Sequence, residues 1–157
     1  MKAYRYLALA IAVLVVVQAG AIAWGYFGVH NFLNDGGVVD EEFIECREDC
    51  ESFGGDLGFF LHMFIVGTIL IPLCSVVLLV TSFFAKVPQG SALAAAIVVM
   101  VILQAFVLPV LSREVGAGFG ALHGINALLI MGAASGAAAR ARKAAEGTIA
   151  TAPAGAV

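Results

Sequence analysis

LGFFLHMFIVGTILIPLCSVVLLVTSFFA, residues 57–85, decides the fold. No charged side chain interrupts it between Asp56 and Lys86. It is longer than the ~20 residues that a helix rising about 1.5 Å per residue needs to cross a hydrocarbon core of ~30 Å. Three more uncharged runs accompany it: Leu7 to Val29, Val87 to Ser112 and Val115 to Ala139. The 157-residue chain is 62% hydrophobic and 12% charged, with a mean hydropathy of +1.02, a composition suited to lipid as solvent. The predicted fold is all-α: an integral membrane four-helix up-down bundle over residues 1–142. Its spans fall near 7–29, 57–85, 90–112 and 116–139, with one structured external loop over 30–56 and a disordered tail over 143–157.

The first run has some features of a secretory signal, since Lys2 and Arg5 precede it and Ala21-Ile22-Ala23 would suit signal peptidase. The apolar stretch continues through Trp24 to Val29, beyond the length of a signal core, so it is read as a retained span. Basic residues set the orientation. Lys2, Arg5, Lys86, Arg140, Arg142 and Lys143 fall on one side and only Arg47 and Arg113 on the other. The positive-inside rule then predicts a multi-pass protein of the cell membrane with both termini cytoplasmic. Tyr4 and Tyr6 at the inner boundary and Trp24, Tyr26, Phe27 and Phe32 at the outer one agree with that frame.

Nine of the eleven acidic residues lie between Asp35 and Asp56, so the formal charge of −3 belongs to one loop. Nothing in this pattern suits nucleic acid. Glu41, Glu42, Glu45, Glu48 and Asp49 form a solvated acidic face or a docking surface for a cationic partner, and they lack the spacing of an EF-hand loop. The turn Asn34-Asp35-Gly36-Gly37 opens the loop, and Asp40 to Ser52 can form a short helix. In that helix Cys46 and Cys50 share a face at a distance that a disulfide can bridge. An oxidising compartment favours that disulfide; a thiol pair for electron exchange or metal binding is the alternative. Cys74, inside the second span, reads as inert packing.

Within the spans, His62 and His123 stand out. Each lies about six residues from the outer end of a span that runs inward, or ~9 Å down the helix. Spans two and four occupy diagonal corners of a sequentially connected bundle, which turns the two imidazoles toward each other at matched depth. Ionisable groups in lipid are costly and signal function, and this pair suits a planar cofactor, with b-type haem leading. Gly58 lies one turn before His62, and Gly116, Gly120 and Gly124 make a groove beside His123. These glycines are either a porphyrin cleft or helix packing of the GxxxG kind. Arg113 and Arg47 are the external cations available to propionates. The structural alternative for the histidines is interhelical glue, with Gln18, Gln104 or Asn126 as hydrogen-bond partners. His30, beside Asn31 at the outer boundary, suits an interfacial role. Pro72 and Pro109 predict mild kinks.

A weak repeat relates the two hairpins, Gln18 with His62 and Gln104 with His123, as parallel copies about an axis along the membrane normal. No nucleophile elbow, phosphate loop or paired intramembrane carboxylates occur, which argues against hydrolysis and proton-driven transport and leaves no catalytic residue to name.

Val17-Gln18 with Gly20, Leu61-His62-Met63 with Gly67, Leu103-Gln104, and Leu122-His123 with Asn126-Ala127 together resemble a family of small four-span bacterial membrane proteins classed as a domain of unknown function. More remotely, the layout resembles one four-helix half of a haem A synthase, with histidines on the second and fourth helices and a cysteine pair in the first external loop. That resemblance implies His62 and His123 as haem ligands and Cys46 with Cys50 as a disulfide. The chain has only one such half, and Phe59 stands where the synthases carry a carboxylate, so synthase activity is not implied.

Two functions follow as expectations. One is haem b binding for electron transfer or haem handling. The other is a cofactor-free accessory or assembly subunit that docks a membrane redox or assembly partner through its acidic loop. A small homo-oligomeric transporter ranks below both, because the spans lack charged pathway residues.

Overall fold

The computed structural model describes residues 1–40 and 52–150, and every extended element among them is helical. Four helices are long and apolar enough to cross a membrane: α1, Lys2–Asn34; α2, Asp56–Ser82; α3, Gly90–Glu114; and α4, Gly118–Ala150. α1 runs past its predicted span at both ends and α3 continues to Glu114, whereas α2 stops at Ser82, three residues short of Ala85. At the other end α4 continues through Ala150 rather than stopping at Arg142. Lys143-Ala144-Ala145-Glu146 are strong helix formers, and Arg142 and Glu146 approach to 3.7 Å one turn apart. The tail expected to be disordered from residue 143 is therefore helical through Ala150, and residues 151–157 lie outside the described residues.

Each helix packs on its sequence neighbour, and α1 also packs along α4, closing the ring. The diagonal pairs, α1 with α3 and α2 with α4, share no substantial backbone contact. This is the predicted up-down bundle. The two ends differ in how they are filled. At the tail end, where α1 begins and α4 ends, Tyr4, Ile11, Leu78, Ile97 and Ile130 are fully buried. The Tyr4 hydroxyl donates to the Gly90 carbonyl at 3.0 Å, and an Arg140 guanidinium nitrogen donates to Gln89 Oε1 at 3.1 Å across the α2–α3 turn. That turn needs left-handed backbone at Lys86 and Gln89.

At the loop end, α1 and α2 close on glycine. A Cβ on Gly28 would lie 2.5 Å from Gly55 Cα, and one on Gly58 would lie 2.6 Å from the Gly25 nitrogen, so backbone meets backbone there. Trp24 Nε1 donates to the Gly54 carbonyl at 3.0 Å, and Tyr26 meets Phe59 edge-on with centroids 5.4 Å apart. The halves of α2 and α3 nearest the loop end, by contrast, lack the close backbone approach that their tail-end halves make.

The kinks predicted at Pro72 and Pro109 take a specific form. Leu61–Leu70 in α2 and Leu103–Val107 in α3 wind as π-helix just ahead of the two prolines. Proline has no N–H for the i→i−4 ladder and crowds the preceding turn, and widening to i→i+5 bonding is one way to absorb that. The Thr68 hydroxyl donates to the Met63 carbonyl five residues back, at 2.5 Å.

Candidate functional site: two imidazoles across the bundle

His62 sits near the start of the α2 π segment, and His123 sits just over one turn into α4. Their ring centroids are 6.1 Å apart, with the planes inclined at 49°. Both residues are half-buried. The diagonal helices carry them to one level although their backbones do not pack together, so the side chains span the interior.

The two rings are held differently. His62 Nδ1 lies 3.1 Å from the Gln18 backbone oxygen. A carbonyl can only accept, so Nδ1 carries the proton and Nε2 presents its lone pair. The Gln18 side chain returns the contact, its Nε2 donating to the His62 carbonyl at 2.8 Å. Gly67 makes room for this exchange, since a Cβ there would collide with the His62 carbonyl and lie 2.6 Å from Gln18 Nε2. Gln18 Oε1 is buried without a hydrogen-bond partner among the described residues.

His123 has no such bracket. Asn126, the candidate partner one turn on, donates instead to Gln104 Oε1 and to the Met100 carbonyl, both at 2.8 Å. No hydrogen bond reaches the His123 ring among the described residues. The glue expectation thus holds for Gln18 with His62 and for Gln104 with Asn126, and it leaves His123 aside. The repeat between hairpins is visible here and broken here: the first span of each hairpin offers a glutamine, but the second glutamine goes to Asn126.

The glycines divide in the same way. Gly58 packs against α1 at Gly25, so it serves the α1–α2 contact rather than the space between the imidazoles. Gly116 and Gly124 have nothing within 4 Å of an added Cβ, and Gly120 meets only Ser112 Oγ at 3.4 Å. GxxxG packing within this chain is therefore absent at these three glycines. Arg113 is exposed at the end of α3 and pairs with Glu114 at 2.7 Å. His30 Nε2 lies 3.1 Å from Asn34 Nδ2 on the exposed face of α1, in keeping with an interfacial role. Cys46, Cys50, Arg47 and the acidic residues Glu41, Glu42, Glu45, Glu48 and Asp49 lie outside the described residues.

No family model, curated protein or solved structure matches this chain. The site therefore has to be read from its own chemistry. Among the described residues, no group of three or more histidine, cysteine, aspartate or glutamate side chains converges. The imidazoles offer two nitrogen donors and no third protein ligand there.

No packing role for Gly25, Gly28, Gly55 or Gly67 was legible in the sequence. A signal for the first three was present: Gly25-x-x-Gly28 and Gly55-x-x-Gly58 share one spacing on consecutive antiparallel spans. Gly67 had no such signal, because its role depends on the π winding.

Proposed function

We propose that this membrane protein binds one b-type haem between His62 and His123 and serves electron transfer or haem handling. The separation of the rings carries the proposal. Two imidazoles on opposite sides of one metal ion, each with a nitrogen–metal bond of ~2 Å, have centroids roughly 6 Å apart, and here they are 6.1 Å apart. The donor set fits as well. Haem iron takes four equatorial nitrogens from its own porphyrin and needs only axial ligands from the protein, and two imidazoles are what converge.

His62 is prepared for this role by its Nδ1–H···O=C contact to Gln18, the kind of outer partner that fixes the tautomer and orientation of a metal-binding histidine. The lack of close approach between the loop-end halves of α2 and α3 leaves room for a flat ring beside the imidazoles. Bound haem would supply a one-electron couple. The protein would hold it by two nitrogens, keep it in an apolar bundle, and place it nearer the external face if the basic residues orient the chain as the positive-inside rule predicts.

The test is a reduced-minus-oxidised absorption spectrum of protein purified in detergent from haem-replete cells. The expected result is b-type bands that change in both His62→Ala and His123→Ala and vanish in the double variant. Colourless protein at full expression overturns the proposal and leaves the acidic loop as the functional element.

A further inference from the structure

We infer that the two histidines are unequal ligands: His62 is the anchor, and His123 is the arm that a small exogenous ligand displaces. This rests on the haem reading above and goes further, because it names a ligand-exchange function and the class of ligand, a neutral strong-field donor such as carbon monoxide or free imidazole.

The inequality lies in what surrounds each ring. His62 is tied to α1 twice, by Nδ1–H to the Gln18 carbonyl at 3.1 Å and by the Gln18 amide to its own carbonyl at 2.8 Å. Its helix is pressed to α1 through Gly25 with Gly58 and Gly28 with Gly55. Turning His62 away would break the first bond and take its Nδ1–H from its acceptor in an apolar interior, which is costly.

His123 has none of these ties. Asn126 and Gln104, the amides that could have held it, are bonded to each other, and Asn126 also bonds Met100. Gly124 beside it and Gly120 three residues before it have open or nearly open surroundings. Outer hydrogen-bond partners are commonly worth 10–100-fold in metal affinity, so the His123 bond should be weaker than the His62 bond by about that factor. In the exchange, His123 leaves with its lone pair and the incoming ligand donates one in its place. One dative bond breaks and one forms, with nothing oxidised or reduced.

The experiment takes haem-loaded protein reduced with dithionite, adds carbon monoxide, and then challenges each protein with excess apomyoglobin as a haem acceptor. The unaltered protein should form a carbon monoxide adduct. His123→Ala should keep its haem and bind carbon monoxide faster than the unaltered protein, because no internal ligand has to leave first. His62→Ala should lose its haem to the acceptor. Equal haem loss by the two variants, retention by His62→Ala alone, or no adduct in unaltered protein overturns the inference and leaves haem binding standing. Failure of unaltered protein to take up haem overturns both.

If His62→Ala does not accumulate, 15N NMR of the histidines in unaltered, haem-free protein makes the same comparison. With the three histidines assigned, His62 should show a single tautomer with an exchange-protected Nδ1–H, and His123 should show no such protection. Equal protection of the two rings overturns the inference.

Discussion

At the level of single residues, the amides around the histidines separate satisfied from unsatisfied chemistry. Asn126 is buried and donates to both Met100 and Gln104. Asn126→Leu removes two bonds and leaves both acceptors without that donor, so it should destabilise the bundle by about 1–2 kcal/mol. Gln18→Leu is a different case. It loses one bond to the His62 carbonyl, but it also removes Oε1, an acceptor buried without a partner among the described residues. Relief of that cost offsets the lost bond, and the net change should stay within about 1 kcal/mol. Thermal unfolding of the two variants in the same detergent checks the order. A Gln18 variant less stable than the Asn126 variant would mean that Oε1 has a partner in the folded protein. These pairings were only partly legible in the sequence. Gln18, Gln104, Asn126 and the two histidines stand out as polar residues in apolar helices. Which amide takes which partner depends on sub-ångström placement, and spacing cannot give that.

At the level of helices, glycine has two opposite uses in the chain, and substitution should tell them apart. Gly28 and Gly55 are in backbone contact, and a Cβ on Gly28 would sit 2.5 Å from Gly55 Cα. Neither backbone can yield without parting α1 from α2, so Gly28→Ala should cost about 1–3 kcal/mol, the usual range for overpacking. Gly132 on α4 has nothing within 4 Å of an added Cβ and is exposed. Gly132→Ala meets no clash and gains helix propensity, so stability should hold or rise by up to about 1 kcal/mol. Measured midpoints moving the same way in both variants would contradict this division. The helices themselves were plain from the sequence because charges bracket each apolar run. The π segments were not. Proline announces a disturbed ladder at Pro72 and Pro109, but whether the helix bends or widens is settled by what packs beside it.

Across the whole molecule, the sequence conveys topology well and packing poorly, for one reason. In lipid, the residues facing neighbouring helices and those facing acyl chains have the same polarity, so no hydrophobic stripe marks the inner face. Phe83 and Phe84 are largely exposed while Ala134 and Ala137 are fully buried, the reverse of what size would suggest for a water-soluble core. Close packing selects small residues here. That is why the close α2–α3 approach at the tail end and its absence at the loop end could not be told apart from composition, although the diagonal placement of His62 and His123 could be derived from span order. Charge remains legible, and it supports the last prediction. Six of the eight basic residues lie with the termini and the α2–α3 turn, while nine of the eleven acidic residues fall in the first loop. Single cysteines placed in a Cys46→Ser, Cys50→Ser, Cys74→Ser background should therefore divide by end. Asp35→Cys and Glu114→Cys should react with a membrane-impermeant maleimide in intact cells. Gln89→Cys and Glu146→Cys should react only after permeabilisation. The opposite labelling would turn the bundle over and put the imidazole pair near the cytoplasmic leaflet, where a haem would exchange electrons with cytoplasmic partners. Mixed labelling of one site would mean that the basic residues do not fix a single orientation.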